Sequence, residues 1–149
     1  MKIESLGHVV IKVRDQARSE KFYNGILGLP IVARLTPDQP PGLCMTFFSL
    51  GNHHDFATCE VGADAQAAPA KSPGLMHVAF KIGESLDELR EAKAHLESHG
   101  LKTVAEDHEV SQSLYFDDPD GNNVEVYVDT SDVWKHDTQR VASAKPLEL

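Results

Sequence analysis

The sequence predicts an α+β fold made of two tandem βαβββ modules, and three observations lead there. Leu6, His8, Val9 and Lys12 recur as Leu75, His77, Val78 and Lys81 at a constant offset (77 − 8 = 69), close to half of the 149 residues. The positions between them, Val10/Ala79, Ile11/Phe80 and Val13/Ile82, are apolar pairs, so an internal repeat is the natural inference. After each copy of this segment the chain runs through one helical pattern and three short β-rich patterns, a β-α-β-β-β order met twice.

Taken in order, residues 6–13 read as a strand in which His8 stands on the face opposite Val9, Ile11 and Val13. Asp15 is placed to cap a helix that pairs Phe22 with Ile26 and Tyr23 with Leu27 at i, i+4 spacing. Gly28 and Pro30 end it. Strands are expected at about 31–36, 44–50 and 54–60, the first two joined by a turn-rich run from Thr36 to Gly42. Residues 62–74 hold small residues with Pro69 and Pro73 and show no periodicity, so they are expected to be a mobile linker between module 1 (about 1–61) and module 2 (about 75–128).

Module 2 opens with strand 75–82, with His77 on the face opposite Val78, Phe80 and Ile82. Ser85-Leu86-Asp87-Glu88 is a capping box, and the helix it starts aligns Leu86, Leu89, Ala92 and Leu96 before Gly100 stops it. Strands near 102–105 and 112–117 follow, then a turn from Asp118 to Asn122 and a last strand at 123–128. Residues 1–128 thus form one domain. The polar remainder, 129–149, reads as a loosely packed tail whose last residues are expected to be disordered.

Composition excludes several classes of function. Of the residues, 41% are hydrophobic and 25% charged, as in an ordinary globular protein. The net charge of −9, with no Lys/Arg cluster, argues against binding nucleic acid or an anionic membrane. No apolar run approaches the roughly 20 residues of a spanning helix, and Met1 to Ser5 carries no secretory pattern. The two cysteines, Cys44 and Cys59, read as reduced thiols of a cytoplasmic protein.

The chemistry gathers on the polar positions of the strands. A lone histidine on a strand is more often a hydrogen-bonded core residue than a ligand, but a repeat that carries His8 and His77 to equivalent places reverses those odds. Glu125 interrupts an apolar strand and points away from Val124 and Val126. Tyr115 lies ten residues earlier (125 − 115), across one hairpin, with His108 just upstream. By the repeat offset, 125 − 69 brings Glu125 to Phe56, on the face shared by His54, Thr58 and Glu60. Two imidazoles and one carboxylate are the ligand set of a mononuclear non-haem Fe(II) site, and Zn²⁺ accepts the same set.

These residues, with the segments GHVVIKVRD, FYNGILGLP, LMHVAFKI and YFDDPDGNNVEVY, resemble the vicinal oxygen chelate superfamily. That superfamily includes glyoxalase I, bleomycin and fosfomycin resistance proteins, methylmalonyl-CoA epimerase and type I extradiol dioxygenases. The resemblance covers residues 1–128 and implies a curved mixed sheet around a metal-binding cavity. Among the branches it runs furthest with one-domain extradiol dioxygenases. It then implies His8, His77 and Glu125 as metal ligands, His54 as the proton-transfer residue, Tyr115 as the active-site tyrosine and His108 as a supporting donor. The implied cofactor is Fe(II), with Mn(II) or another divalent ion open. The implied substrates are a catechol-like aromatic diol and O2, with pairing into a homodimer left open. The alternatives are a glyoxalase I-like lyase/isomerase or epimerase, for which Glu60 would have to serve as the fourth ligand on strand 4, and a non-enzymatic ligand-binding protein of the bleomycin-resistance kind.

Overall fold

A computed structural model describes residues 1–69 and 71–149; residue 70, inside the expected linker, lies outside the described residues. The chain divides into two compact units, Met1–Ser72 and Pro73–Leu149. The boundary falls at the end of the linker. The described part of that linker is tied to its own unit, because Arg14 Nε donates to the Ala65 carbonyl (2.7 Å).

The first unit contains β1 (Val9–Val13), α1 (Gln16–Glu20), a π-helical turn (Lys21–Ile26), β2 (Ile31–Leu35), β3 (Met45–Phe48) and β4 (Phe56–Glu60). Its sheet has the order β1-β4-β3-β2, with β1 and β4 parallel and the other pairs antiparallel. Ile11, Val13, Phe22, Tyr23, Phe48 and Phe56 are buried. Tyr23 sits 4.8 Å from Phe56 and Phe48 5.7 Å from Phe56 between ring centroids, the tilted contact that aromatic rings favour. Asp15 caps α1 as expected, accepting from the Arg18 amide at 2.7 Å. The regular i, i+4 helix expected beyond it does not continue. Leu27 N instead donates to Phe22 O (3.0 Å), five residues back. Asn24 and Gly25, both weak helix formers, lie in this wider turn, and it buries the adjacent rings of Phe22 and Tyr23 together.

The second unit repeats the plan with β5 (Val78–Gly83), α2 (Leu86–Ser98), β6 (Val104–Asp107), β7 (Ser111–Asp117) and β8 (Asn123–Asp129). The order β5-β8-β7-β6 is that of the first sheet, again with one parallel pair, β5 and β8. The capping box forms in full: Ser85 Oγ accepts from the Glu88 amide while the Glu88 carboxylate accepts from the Ser85 amide. Leu89 and Leu96 of α2 are buried, as are Leu114, Phe116, Val124, Val126 and Val128 of the sheet.

The tail departs from expectation. It folds into two 3₁₀ turns (Val133–Lys135 and Thr138–Ala142) and a short strand, β9 (Lys145–Pro146), which pairs antiparallel with β6 and becomes the fifth strand of the sheet. Its polar residues are what hold it. Glu109, at φ 66°, accepts from Arg140 Nη1 (3.1 Å), Ser143 Oγ (3.2 Å) and Lys145 Nζ (3.3 Å). Among the described residues no helix is long and apolar enough to cross a membrane. Cys44 and Cys59 are free, half-buried thiols.

Candidate metal centre

Alternation along β7 and β8 sends Leu114, Phe116, Val124 and Val126 into the core on the α2 side, and leaves Ser113, Tyr115, Glu125 and Tyr127 on the other face. Tyr115 pairs directly with Glu125 across the hairpin, and Ala79 of β5 pairs with Glu125 from the other side. His77, two residues before Ala79, falls on the same face. The result is a compact polar group. His77 Nε2 lies 3.1 Å from Glu125 Oε2, and Ser113 Oγ donates to Glu125 Oε1 at 2.5 Å. Glu125 is only 7% exposed, so this carboxylate has been withdrawn from water. A buried carboxylate is costly without a cation or strong donors, and the residue facing its free oxygen is itself a good metal ligand. The donor set therefore fits a divalent cation.

Behind this pair stands a second one. The Tyr115 hydroxyl is 2.9 Å from His108 Nε2, and His108 Nδ1 is 2.7 Å from the Ser143 carbonyl. A carbonyl only accepts, so Nδ1 carries the proton and donates to it. In the neutral ring Nε2 is then an acceptor for the tyrosine O–H, which also has the Glu125 carboxylate within hydrogen-bond reach. His108, expected as a supporting donor, donates to the tail through Nδ1 and meets the Tyr115 hydroxyl through Nε2. Burial, reinforced by the Glu125 charge, pushes the Tyr115 hydroxyl up to about 12, so it stays protonated near neutrality.

In the first unit His8 immediately precedes β1 and His54 lies two residues before β4. The Val9 amide donates to the Asp55 carbonyl (3.1 Å), which draws the two strand entrances together. The ring centroids of His8 and His54 are 4.1 Å apart, with His53 4.6 Å from His54 and their Nδ1 atoms 2.7 Å apart. Burial and then the neighbouring His8 and His53 lower the pKa of His54, which favours the neutral, proton-accepting ring. His77, Glu125, Tyr115 and His108 are therefore brought together in one unit, and His8 and His54 in the other. Among the described residues no three His, Cys, Asp or Glu side chains are gathered into a metal-binding group.

Two expectations about β4 are corrected. Val10 pairs with Ala57 as Ala79 pairs with Glu125, so the counterpart of Glu125 in the first sheet is Ala57 rather than Phe56. The repeat offset of 69 at the first strands has become 68 (125 − 57) at the fourth strands. Phe56, Thr58 and Glu60 consequently line up with Val9, Ile11 and Val13 on the helix side. Phe56 is core. Glu60 Oε2 accepts from the Gln16 amide (2.7 Å) at the start of α1, a helix-capping duty on the wrong face for the fourth ligand of a glyoxalase-like site.

Two contributors were not foreseen. Ser113 carried a signal, since it lies two residues before Tyr115 and so on the same strand face. Ser143, 35 residues from His108, carried none, because its backbone carbonyl is the acting group.

The family model described as Glyoxalase/Bleomycin resistance protein/Dioxygenase superfamily matches residues 5–126. The chain belongs to that superfamily. It is 30% identical over 142 residues to catechol-2,3-dioxygenase of Bacillus subtilis (strain 168), covering 90% of this chain and 45% of that protein. It is likewise 30% identical over 128 residues to biphenyl-2,3-diol 1,2-dioxygenase 3 of Rhodococcus globerulus, covering 83% of this chain and 63% of that one. The chain thus spans about half to just under two thirds of these relatives' lengths. The crystal structure of the fosfomycin resistance protein FosX from Mesorhizobium loti shares the fold at a TM-score of 0.65 and 22% identity, over 95% of this chain and all (100%) of that one. The superfamily's members are mostly enzymes, and relatives from more than one of its branches match this chain.

Proposed function

We propose that this member of the superfamily is an extradiol ring-cleavage dioxygenase, acting on a catechol-like aromatic diol with O2. The observation that carries it is the joint presence, on one sheet face, of the His77–Glu125 pair and the Tyr115–His108–Ser143 chain. A carboxylate ligand with an adjacent, oriented phenol suits a substrate whose hydroxyls must be bound and deprotonated. The 30% identity to two diol dioxygenases supports the same branch. A glyoxalase-like reading lacks its strand-4 carboxylate, since Ala57 occupies the matching position and Glu60 serves α1.

In this reading His8, His77 and Glu125 would hold a divalent metal, Fe(II) before Mn(II). Such an ion would supply a template and charge stabilisation for the reactants. The rest falls to the chain. Ser113 fixes one carboxylate oxygen of Glu125 so that the other is free to ligate. Tyr115 gives its own proton to the hydrogen bond with His108, which leaves its oxygen lone pair to accept a bond from a substrate hydroxyl. His54, kept neutral, takes the proton that the diol loses and returns it to the product.

The test is anaerobic reconstitution with Fe(II), followed by exposure to a panel of catechols in air. A yellow ring-fission product with matching oxygen uptake is expected. Isomerisation of a hemithioacetal, with no oxygen consumed on any catechol, would overturn the assignment.

A further inference from the structure

The C-terminal tail was the one segment that the repeat left without a role, and it stands over the face that carries Glu125. A cleft of about 360 Å³ opens there, within the size range of small-molecule sites. Its floor is Ala79, Glu125 and Tyr127 of the sheet, and its sides are Val110, Trp134 and Val141. Two of those side residues belong to the tail, and both are large apolar groups left open to solvent, Trp134 at 47% and Val141 at 58% exposure. Trp134 also borders a second, polar cleft lined by Glu84, Asp132 and Lys135, and Asp129 lines both clefts. The wall is also fixed in place. Glu109 ties down Arg140, Ser143 and Lys145 on either side of Val141, and β9 is hydrogen-bonded to β6.

We propose that the tail builds the ring-binding wall of this site, with Trp134 and Val141 packing against the planar ring system of an aromatic diol whose hydroxyls point toward Glu125. The inference rests on the dioxygenase reading for the identity of the ligand and goes beyond it in assigning specificity to the tail. An aromatic face beside an aliphatic one suits a flat apolar ring, and the polar floor at Glu125 sets which end of the ligand enters first. A ring substituent lies along Trp134, so a bicyclic diol gains more from the wall than a monocyclic one.

Trp134 is the single tryptophan of the chain, which gives a direct readout separate from turnover. Fe(II)-loaded protein is titrated anaerobically with biphenyl-2,3-diol and with catechol while indole emission is followed, and the same samples are then opened to air. Saturable quenching by the biphenyl diol is expected. Trp134→Ala is expected to lower the preference for biphenyl-2,3-diol over catechol, as a ratio of kcat/KM, by about tenfold, and Trp134→Phe to restore most of it. Val141→Trp, which fills the cleft, is expected to reject the bicyclic diol more than the monocyclic one. A diol that is cleaved without changing Trp134 emission, or a Trp134→Ala variant with the parental preference, overturns the role of the tail and leaves the dioxygenase reading standing. A diol that quenches Trp134 saturably and is never cleaved does the reverse.

Discussion

At the scale of single residues, Glu125 carries the most. It is the one acidic group of the proposed ligand set, so Glu125→Ala is expected to abolish stoichiometric divalent-metal binding in equilibrium dialysis, and unchanged affinity would remove it from the set. Ser113→Ala leaves the ligand atoms in place but frees the carboxylate to rotate. A loss of about 10–100-fold in metal affinity is the usual cost of removing such an orienting bond. His54 separates binding from chemistry: His54→Ala should retain the metal and the diol while turnover falls about 10²–10⁴-fold, the ordinary worth of a positioned proton-transfer group. His77, Tyr115 and Glu125 were legible because strand alternation and one hairpin suffice to place them together. The Ala57 register was not, because one residue gained or lost between strands flips every later side chain to the other face, and repeat arithmetic carries no sign of the slip.

At the scale of elements, the start of α2 shows how tightly a local motif can constrain its neighbour. Glu88 folds back over Gly83, and a Cβ at that glycine would come within 2.3 Å of the Glu88 carboxyl group. Gly83→Ala therefore displaces the carboxylate from the Glu84 and Ser85 amides. Ser85→Ala removes the other half of the box at a cost of about 1 kcal/mol. Either change is expected to lower the melting temperature by about 2–4 °C in calorimetry. The bond from the Ser85 hydroxyl, with those from the two amides, holds the Glu88 carboxyl below the usual carboxylate range. A depressed carboxyl contributes stability that is present at neutral pH and lost as pH falls through its folded value, so the gap between wild type and Ser85→Ala should narrow in acid to the share of the N-cap bond from the Glu88 amide. This motif was readable because its spacing is local. The π-helical turn at Lys21–Ile26 was not, because the burial of both Phe22 and Tyr23 overrides the i, i+4 pattern that the residues display.

At the scale of the whole molecule, the two sheets share one strand order and one parallel pair, and that much was written in the recurring His-Val segment. What the repeat could not show is where the halves differ, and the main difference is the tail. Beside the β9–β6 pairing its attachment is electrostatic: Arg140, Lys145 and Ser143 hold the Glu109 carboxyl below its ordinary range. The sign is again that of a depressed carboxyl, so the clamp is in force at neutral pH and released as pH falls through the folded value. Acid, or high salt at neutral pH, is expected to loosen the tail and shift Trp134 emission before the core unfolds. Glu109→Gln should show that shifted emission already at neutral pH.

The same strand has a meaning for life in a crowded solution. A sheet edge is a row of unpaired amides and carbonyls, and any extended segment of another molecule can zip onto it. β9 occupies that row along β6, and it brings Pro146 opposite Glu106. Proline has no amide hydrogen to offer, so the strand that closes the sheet is poorly suited to recruiting a further one. Ending the chain after Ala142 would uncover β6 with its exposed Val104, and the truncated protein is expected to scatter light increasingly with concentration where the full chain stays clear. A segment that walls a pocket on one side thus serves, on the other, to keep each molecule from templating the next.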